Sequence, residues 1–210
     1  RMASKKTGKQ TPTKLDPDAS GRRYWLFKSE PTSYGFAQFE RDGRTFWNGV
    51  RNYQARNLLR DEIHEGDGVL FYHSNAEPMA VVGIARVVRA GYPDPTAFDA
   101  KSPYHDPDSD PDAPTWFQVD IACVAPFAQP LTREQLKGCP ALAQMVLLQR
   151  GSRLSVQPVT ATEWRTILAL ADARPVAFLE YGLALDVARL RPFRGETVDG
   201  LRRREVRRGR

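Results

Sequence analysis

Between residues 24 and 170 the apolar positions fall in short runs, most with the two-residue period of half-buried strands. "YWLFK" at 24–28 and "GDGVLFYHS" at 66–74 predict strands, the second entered through a glycine turn. "MAVVGIARVVRAGYP" predicts a long strand with a bulge at Gly83, and "WFQVDIACVAPF" and "RLSVQPV" two more. Helical signals are brief. "SEPTSYGFAQFERDG" predicts a turn and a short helix ending at Gly43. Thr132 with Gln135, and Thr160 with Glu163, carry the spacing of capping boxes. Behind the second, Trp164, Ile167 and Leu168 share one helical face. Strands interrupted by short helices predict an α+β fold: a small mixed β-barrel with helices packed on it, not a doubly wound sheet. Residues 93–115, rich in Pro and Asp, predict a long excursion without core.

The flanks differ from this middle. Residues 1–23 hold seven basic and two acidic groups in a Lys-, Thr- and Pro-rich context, which predicts a disordered basic arm. Residues 171–210 hold ten basic and six acidic groups, lose periodicity, and predict an Arg-rich extension, disordered or part-helical. The 14 basic and 17 acidic groups of residues 24–170 leave the middle slightly acidic, although the whole 210-residue chain carries +6. Bulk charge therefore does not take the central domain, 24–170, to phosphates; nucleic-acid recognition there depends on local geometry. Two cysteines, Cys123 and Cys139, suggest neither a disulfide framework nor a zinc site, and fit a reducing compartment. No apolar run reaches the length of a membrane span. These features point to a cytoplasmic monomer, nucleoid-associated in a bacterium or nuclear in a eukaryote.

"FWNGVRNYQARNLL", residues 46–59, has a different inventory from a core-packing segment. A helix starting near Val50 and turning about 100° per residue puts Ala55, Leu58 and Leu59 on one stripe. Tyr53, Arg56, Asn57 and Arg60 then face the other way. Trp47, just ahead of that helix, either plugs the core or walls a flat pocket. A planar base needs a stacking ring and amides that match its edge, and Asn52 offers donor and acceptor together. Other polar groups gather where strands are predicted to end: Lys28 and Ser29; Tyr72, His73, Ser74 and Asn75; Tyr92 and Asp94.

The segments "YWLFKSEP", "WNGVRNYQARN", "GDGVLFYHSN", "VVGIARVVRAGYPDPTAFD", "YHDPDSDPDAPTWFQVD" and "SRLSVQPVTATEW" run in one order over residues 24–170. In these the chain resembles the EVE domain family, thymocyte nuclear protein type. The resemblance implies a PUA-like fold related to YTH readers of modified RNA. It implies a reader of modified bases, notably modified cytosine in DNA, that uses an aromatic-lined pocket and no cofactor. By resemblance the pocket draws on Lys28, Ser29, Trp47, Asn52, Tyr53, Ser74, Asn75 and Tyr92; the residue chemistry adds Arg56, Tyr72 and Asp94. Asn48 stands where many relatives carry Asp, and Ile63 and Met79 also depart from the usual residues.

Two other classes compete with a reader. A general RNA-binding module differs in using ribose hydroxyls, which the sequence does not distinguish. An enzyme needs a base and a nucleophile. His73 and Ser74, adjacent on a strand, point to opposite faces and make no relay. The "DPDSDPD" run at 106–112 has the start of a calcium loop, but Pro111 and Phe117 occupy the positions that require Gly and Glu. No metal site and no catalytic set is expected.

Overall fold

The structure, a computed structural model, describes residues 17–171. Its frame is one six-stranded sheet: β1 (Tyr24–Ser29), β2 (Arg44–Trp47), β3 (Gly68–His73), β4 (Ala80–Pro93), β5 (Phe117–Thr132) and β6 (Val156–Val159). The spatial order is β2-β5-β4-β3-β1-β6, with β1 and β3 parallel and the other neighbours antiparallel. The terminal strands β2 and β6 are not paired with each other, so the mixed sheet does not close into the expected barrel. Five short α-helices attach to it: α1 (Pro31–Tyr34), α2 (Phe36–Asp42), α3 (Tyr53–Asn57), α4 (Arg133–Lys137) and α5 (Ala161–Leu170).

Alternation along the strands builds two cores, one on each face. Tyr24 and Leu26 of β1 join Leu70, Tyr72, Val81, Leu131 and the apolar side of α5 in a first cluster. Trp25 and Phe27 join Val69, Phe71, Trp47, Ala55, Leu59 and Val119 in a second. Trp164 of α5 stacks on Tyr24 with ring centroids 4.5 Å apart, which seats that helix on the first face. Both capping boxes are formed, Thr132 with Gln135 and Thr160 with Glu163, and each fixes where its helix leaves a strand.

β4 is long, as its pattern predicts, and one residue of it, Val82, is passed over where Phe71 pairs Gly83 and Tyr72 pairs Val81. The bulge lies beside Gly83. The α3 segment departs from expectation in its start. Asn52 is extended and its side chain accepts from the Gln54 and Ala55 amides, so the helix begins at Tyr53 rather than near Val50. After Asn57 the backbone widens to a π-helical turn, Leu58–Glu62, closed by Ile63 N–H to Leu58 O at 3.0 Å. That turn lies on β4 at Gly91, where a Cβ would stand 2.3 Å from the Leu59 carbonyl oxygen. Trp47, expected just ahead of the helix, ends the edge strand β2 and pairs with Val119.

The arm predicted over residues 1–23 is described only from residue 17. Its last residues hold to the sheet: Tyr24 Oη donates to Asp18 at 2.6 Å and Arg23 N–H to Asp67 at 3.1 Å. Burial works to raise the Asp18 carboxyl. Hydrogen bonds from the Ser20 and Tyr24 hydroxyls and from two backbone amides outweigh it and bring it down to about 2. The extension expected over residues 171–210 lies outside the described residues except for Ala171.

Candidate nucleic-acid interface

The loop between β2 and α3 is held from one point. Asp94 is fully buried, and its carboxylate accepts from Gly49 N–H at 2.9 Å, Arg51 Nη1 at 2.8 Å, Thr96 N–H at 2.9 Å and Thr96 Oγ1 at 2.6 Å. Burial opposes the charge, but these donors prevail and hold the carboxyl below its usual range. Gly49 has φ +72°, and a side chain there would strike the Tyr104 ring at 2.7 Å, so that ring closes over bare backbone. Arg51 also donates to Thr96 Oγ1 and the Tyr104 carbonyl, and its guanidinium lies 5.3 Å from the Trp116 ring.

Around this anchor stand aromatic rings and arginines. Tyr53, 62% exposed, lies 5.0 Å from Trp116, and the Arg56 guanidinium sits 5.1 Å from the Tyr53 ring. Arg56 is fixed in turn by its bond to the Thr115 carbonyl at 2.7 Å. Trp47 is 9% exposed and packs at 5.0 Å from Phe27 and 5.5 Å from Phe71. Of its two possible roles the core one dominates; only an edge remains for a ligand.

At the ends of the parallel strands, Ser29 Oγ donates to the Tyr34 carbonyl at 2.6 Å and Ser74 N–H to Ser29 O at 2.9 Å. Asn75, at φ +48°, donates to Glu30 at 2.6 Å. His73 Nε2 accepts from Phe36 N–H at 3.1 Å, so that nitrogen is unprotonated. Burial lowers the His73 pKa.

The eleven residues expected to form one pocket do not meet in one place. Asn52, Tyr53 and Arg56 share the α3 surface beside Trp47, and Ser29 lies on the same face of the sheet as Phe27 of Trp47's cluster. Asn52 spends its carbonyl oxygen on capping, which leaves only its amide NH₂ for a ligand edge. Asp94 has no exposed edge and acts as a positioning residue. Lys28 and Tyr72 are paired in register on the first-cluster face, across the sheet from Trp47. Tyr92 lies within β4, and its hydroxyl donates to Asp120 at 2.5 Å, on the far face of β5 from Val119. Burial, then the Asp120 carboxylate, pushes its phenol up to about 12. Sequence reasoning missed Arg51, Tyr104 and Trp116. Their signal is weak, because the contacts bridge segments some 43 to 65 residues apart. Among the described residues no three His, Cys, Asp or Glu side chains converge as metal ligands, and no helix is long and apolar enough to cross a membrane.

A mixed sheet with short helices and a loop-built polar surface of this kind places the molecule in the PUA-like class of folds. The chain belongs to the EVE domain family, whose model matches residues 23–170. Rat thymocyte nuclear protein 1 is 38% identical over 172 residues, which cover 72% of this chain and 75% of the relative. A crystal structure of a protein from Pseudomonas putida is 47% identical, covers 70% of this chain and 99% of its own, and has a TM-score of 0.68. The human THYN1 protein, solved in complex with 5-methylcytosine containing DNA, is 35% identical with a TM-score of 0.67 over 73% of this chain and 99% of its own.

Proposed function

We propose that the chain is a non-enzymatic reader that binds a modified nucleobase, a modified cytosine in DNA, as a monomer in the nucleus or nucleoid. What carries the reading is kinship with the human protein crystallised on 5-methylcytosine containing DNA. The pre-set β2–α3 loop supports it. Asp94 and Arg51 fix the backbone between Trp47 and Tyr53, so little ordering entropy is lost when a base arrives. Tyr53 offers an exposed ring for stacking, Arg56 charge beside it, and the Asn52 NH₂ a donor to a base edge. The exposed edge of Trp47 with Ser29, Ser74 and Asn75 supplies the rest of the wall. Asp94 holds that loop in this reading, while Lys28, Tyr72 and Tyr92, turned to the other face of the sheet, stay outside the wall.

The test is a titration of the full chain against matched oligonucleotides, DNA and RNA, carrying cytosine or 5-methylcytosine at one position. The methylated DNA binds more tightly, and strands and bases remain intact when magnesium or zinc is added. Asn52→Asp keeps the cap oxygen and removes the NH₂, so it lowers the preference for methylated DNA while the melting temperature holds. Tyr53→Ala weakens binding by about 1–3 kcal/mol without unfolding the domain. Equal affinity for both cytosines sinks the proposal; tighter binding of modified RNA than of DNA would move it to an RNA reader.

A further inference from the structure

Two of the exposed aromatic rings among the described residues, Tyr53 and Tyr104, the latter 44% exposed, are tied to one anchor. Asp94 fixes the Gly49 amide and the Arg51 guanidinium, and Arg51 passes the hold on: its Nε donates to the Tyr104 carbonyl at 2.9 Å. The turn that carries Tyr104 is closed from behind by Asp106 N–H to Ala97 O at 2.9 Å, and Asp106 accepts from the Trp116 indole. From Tyr53 to Tyr104 the groups follow one another. Trp116 lies 5.0 Å from Tyr53, and the Arg51 guanidinium 5.3 Å from Trp116 and 5.8 Å from the Tyr104 ring. The middle of this series is buried or nearly so, and its two ends are open.

Covering Gly49 does not require this ring. The contact uses one edge of it, Cδ2, Cε2 and Cζ, and an aliphatic side chain would cover bare backbone as well. The hydroxyls of Tyr24, Tyr34 and Tyr92 are spent on the carboxylates of Asp18, Asp42 and Asp120, whereas those of Tyr53 and Tyr104 bond to no described residue. A flat ring that is exposed and already fixed in place loses little entropy when a planar group settles on it. Nucleobases are such groups, and every base offers a face. Gly49 lies two residues past Trp47 and four ahead of Tyr53, so Tyr104 borders the wall proposed for the modified base.

We propose that Tyr104 is a second stacking platform, for a nucleotide flanking the one held between Trp47 and Tyr53. The inference rests on the base reading for where the strand lies. It defines the ligand further: a single strand, or a duplex opened beside the modified base, because a paired neighbour keeps its own stack. The identity of the flanking base matters little, since the platform takes a π-face and not a base edge.

The full chain is titrated with a short DNA single strand whose central 5-methylcytosine has thymine neighbours, and with the same strand carrying abasic neighbours. Both strands hold the same phosphates, so the ratio of their affinities isolates the flanking bases at any salt. Wild type binds the thymine-flanked strand roughly 5- to 150-fold more tightly, the range for stacking one base on an aromatic ring. Tyr104→Phe keeps the ratio, and Tyr104→Leu, which still covers Gly49, brings it close to one. Melting temperatures accompany each variant. On the wild-type chain, 5-iodouracil in a flanking position crosslinks to Tyr104 under ultraviolet light, read by mass spectrometry of the peptides; this readout does not depend on how the leucine variant folds. A wild-type ratio of one overturns the platform, as does a ratio that survives in folded Tyr104→Leu or a crosslink that maps away from Tyr104. Loss of the ratio in Tyr104→Phe places the contact on the hydroxyl and overturns stacking. A Tyr104-dependent ratio on strands whose central cytosine, plain or methylated, binds equally well overturns the base reading and leaves the platform standing.

Discussion

Single side chains set the electrostatics of both faces, and Asp94 is the clearest case. It is a buried charge with four donors to its carboxylate, and the strongest, Arg51, is itself mostly buried. Asp94→Ala strands that guanidinium and frees the Gly49 amide; the expected loss is about 3–5 kcal/mol of stability, read from urea midpoints. Asp94→Asn, which keeps some acceptors, loses less. A loss below about 1 kcal/mol for Asp94→Ala would mean the loop is held elsewhere. His73 gives the molecule a pH dependence of known sign. Its pKa in the fold is below the usual 6.5, because burial favours the neutral ring that accepts from Phe36 N–H. The unfolded chain then binds the proton first as pH falls, so this contribution is complete above about 6.5 and is lost below it toward the folded pKa. Melting temperatures measured from pH 7.5 to 5 should fall more for wild type than for His73→Gln. Parallel curves would show that His73 is not the group responsible.

At the scale of elements, the fold rests on close backbone contacts that a sequence states only as a glycine. Gly91 lets the π-helical turn sit on β4, and a methyl group there meets the Leu59 carbonyl at 2.3 Å and Arg60 Cα at 3.0 Å. Gly91→Ala must push the turn off the strand, with a cost of about 1–3 kcal/mol. Since Arg56 and Tyr53 ride on the adjoining helix, the same variant should weaken DNA binding; wild-type melting in Gly91→Ala would contradict the packing. The long strands and both capping boxes were legible in the sequence, because alternation and cap spacing are local properties. β2 was not, since four residues, Arg44–Trp47, are too few to show a period. The start of α3 moved because one side chain, Asn52, caps it, which periodicity does not report. The candidate site was legible as a set of residue types but not as a place. Lys28 and Tyr72 share a face because β1 pairs with β3 in a particular register, and that register joins residues 44 apart. Arg51 finds Asp94 across 43 residues in the same way.

Taken whole, the described sheet offers little edge for pairing with a second copy, and the basic excess of the chain lies outside it. Both strands at the edges of the ladder are four residues long, and β6 contains Pro158, so neither offers a long template for a second copy. Sedimentation should therefore give the mass of one 23.7 kDa chain; a concentration-dependent dimer would refute this. The described sheet domain is close to neutral, and the basic excess lies at the two ends of the sequence, with five basic groups and one acidic over residues 1–16 and ten against six over residues 171–210. Asp18 and Arg23 anchor the chain to the sheet, so a cut before residue 17 spares the packing. A chain of residues 17–171 should melt with the full chain, since it keeps every described member of both clusters. Its affinity for DNA should depend less steeply on salt, by nearly one unit of slope for each lysine or arginine removed from a phosphate. The preference for a methylated base proposed for the loop around Trp47 and Tyr53 should survive the truncation. If the slope is unchanged, the basic ends do not touch the nucleic acid, and the basic groups of the sheet domain carry all of the phosphate contacts.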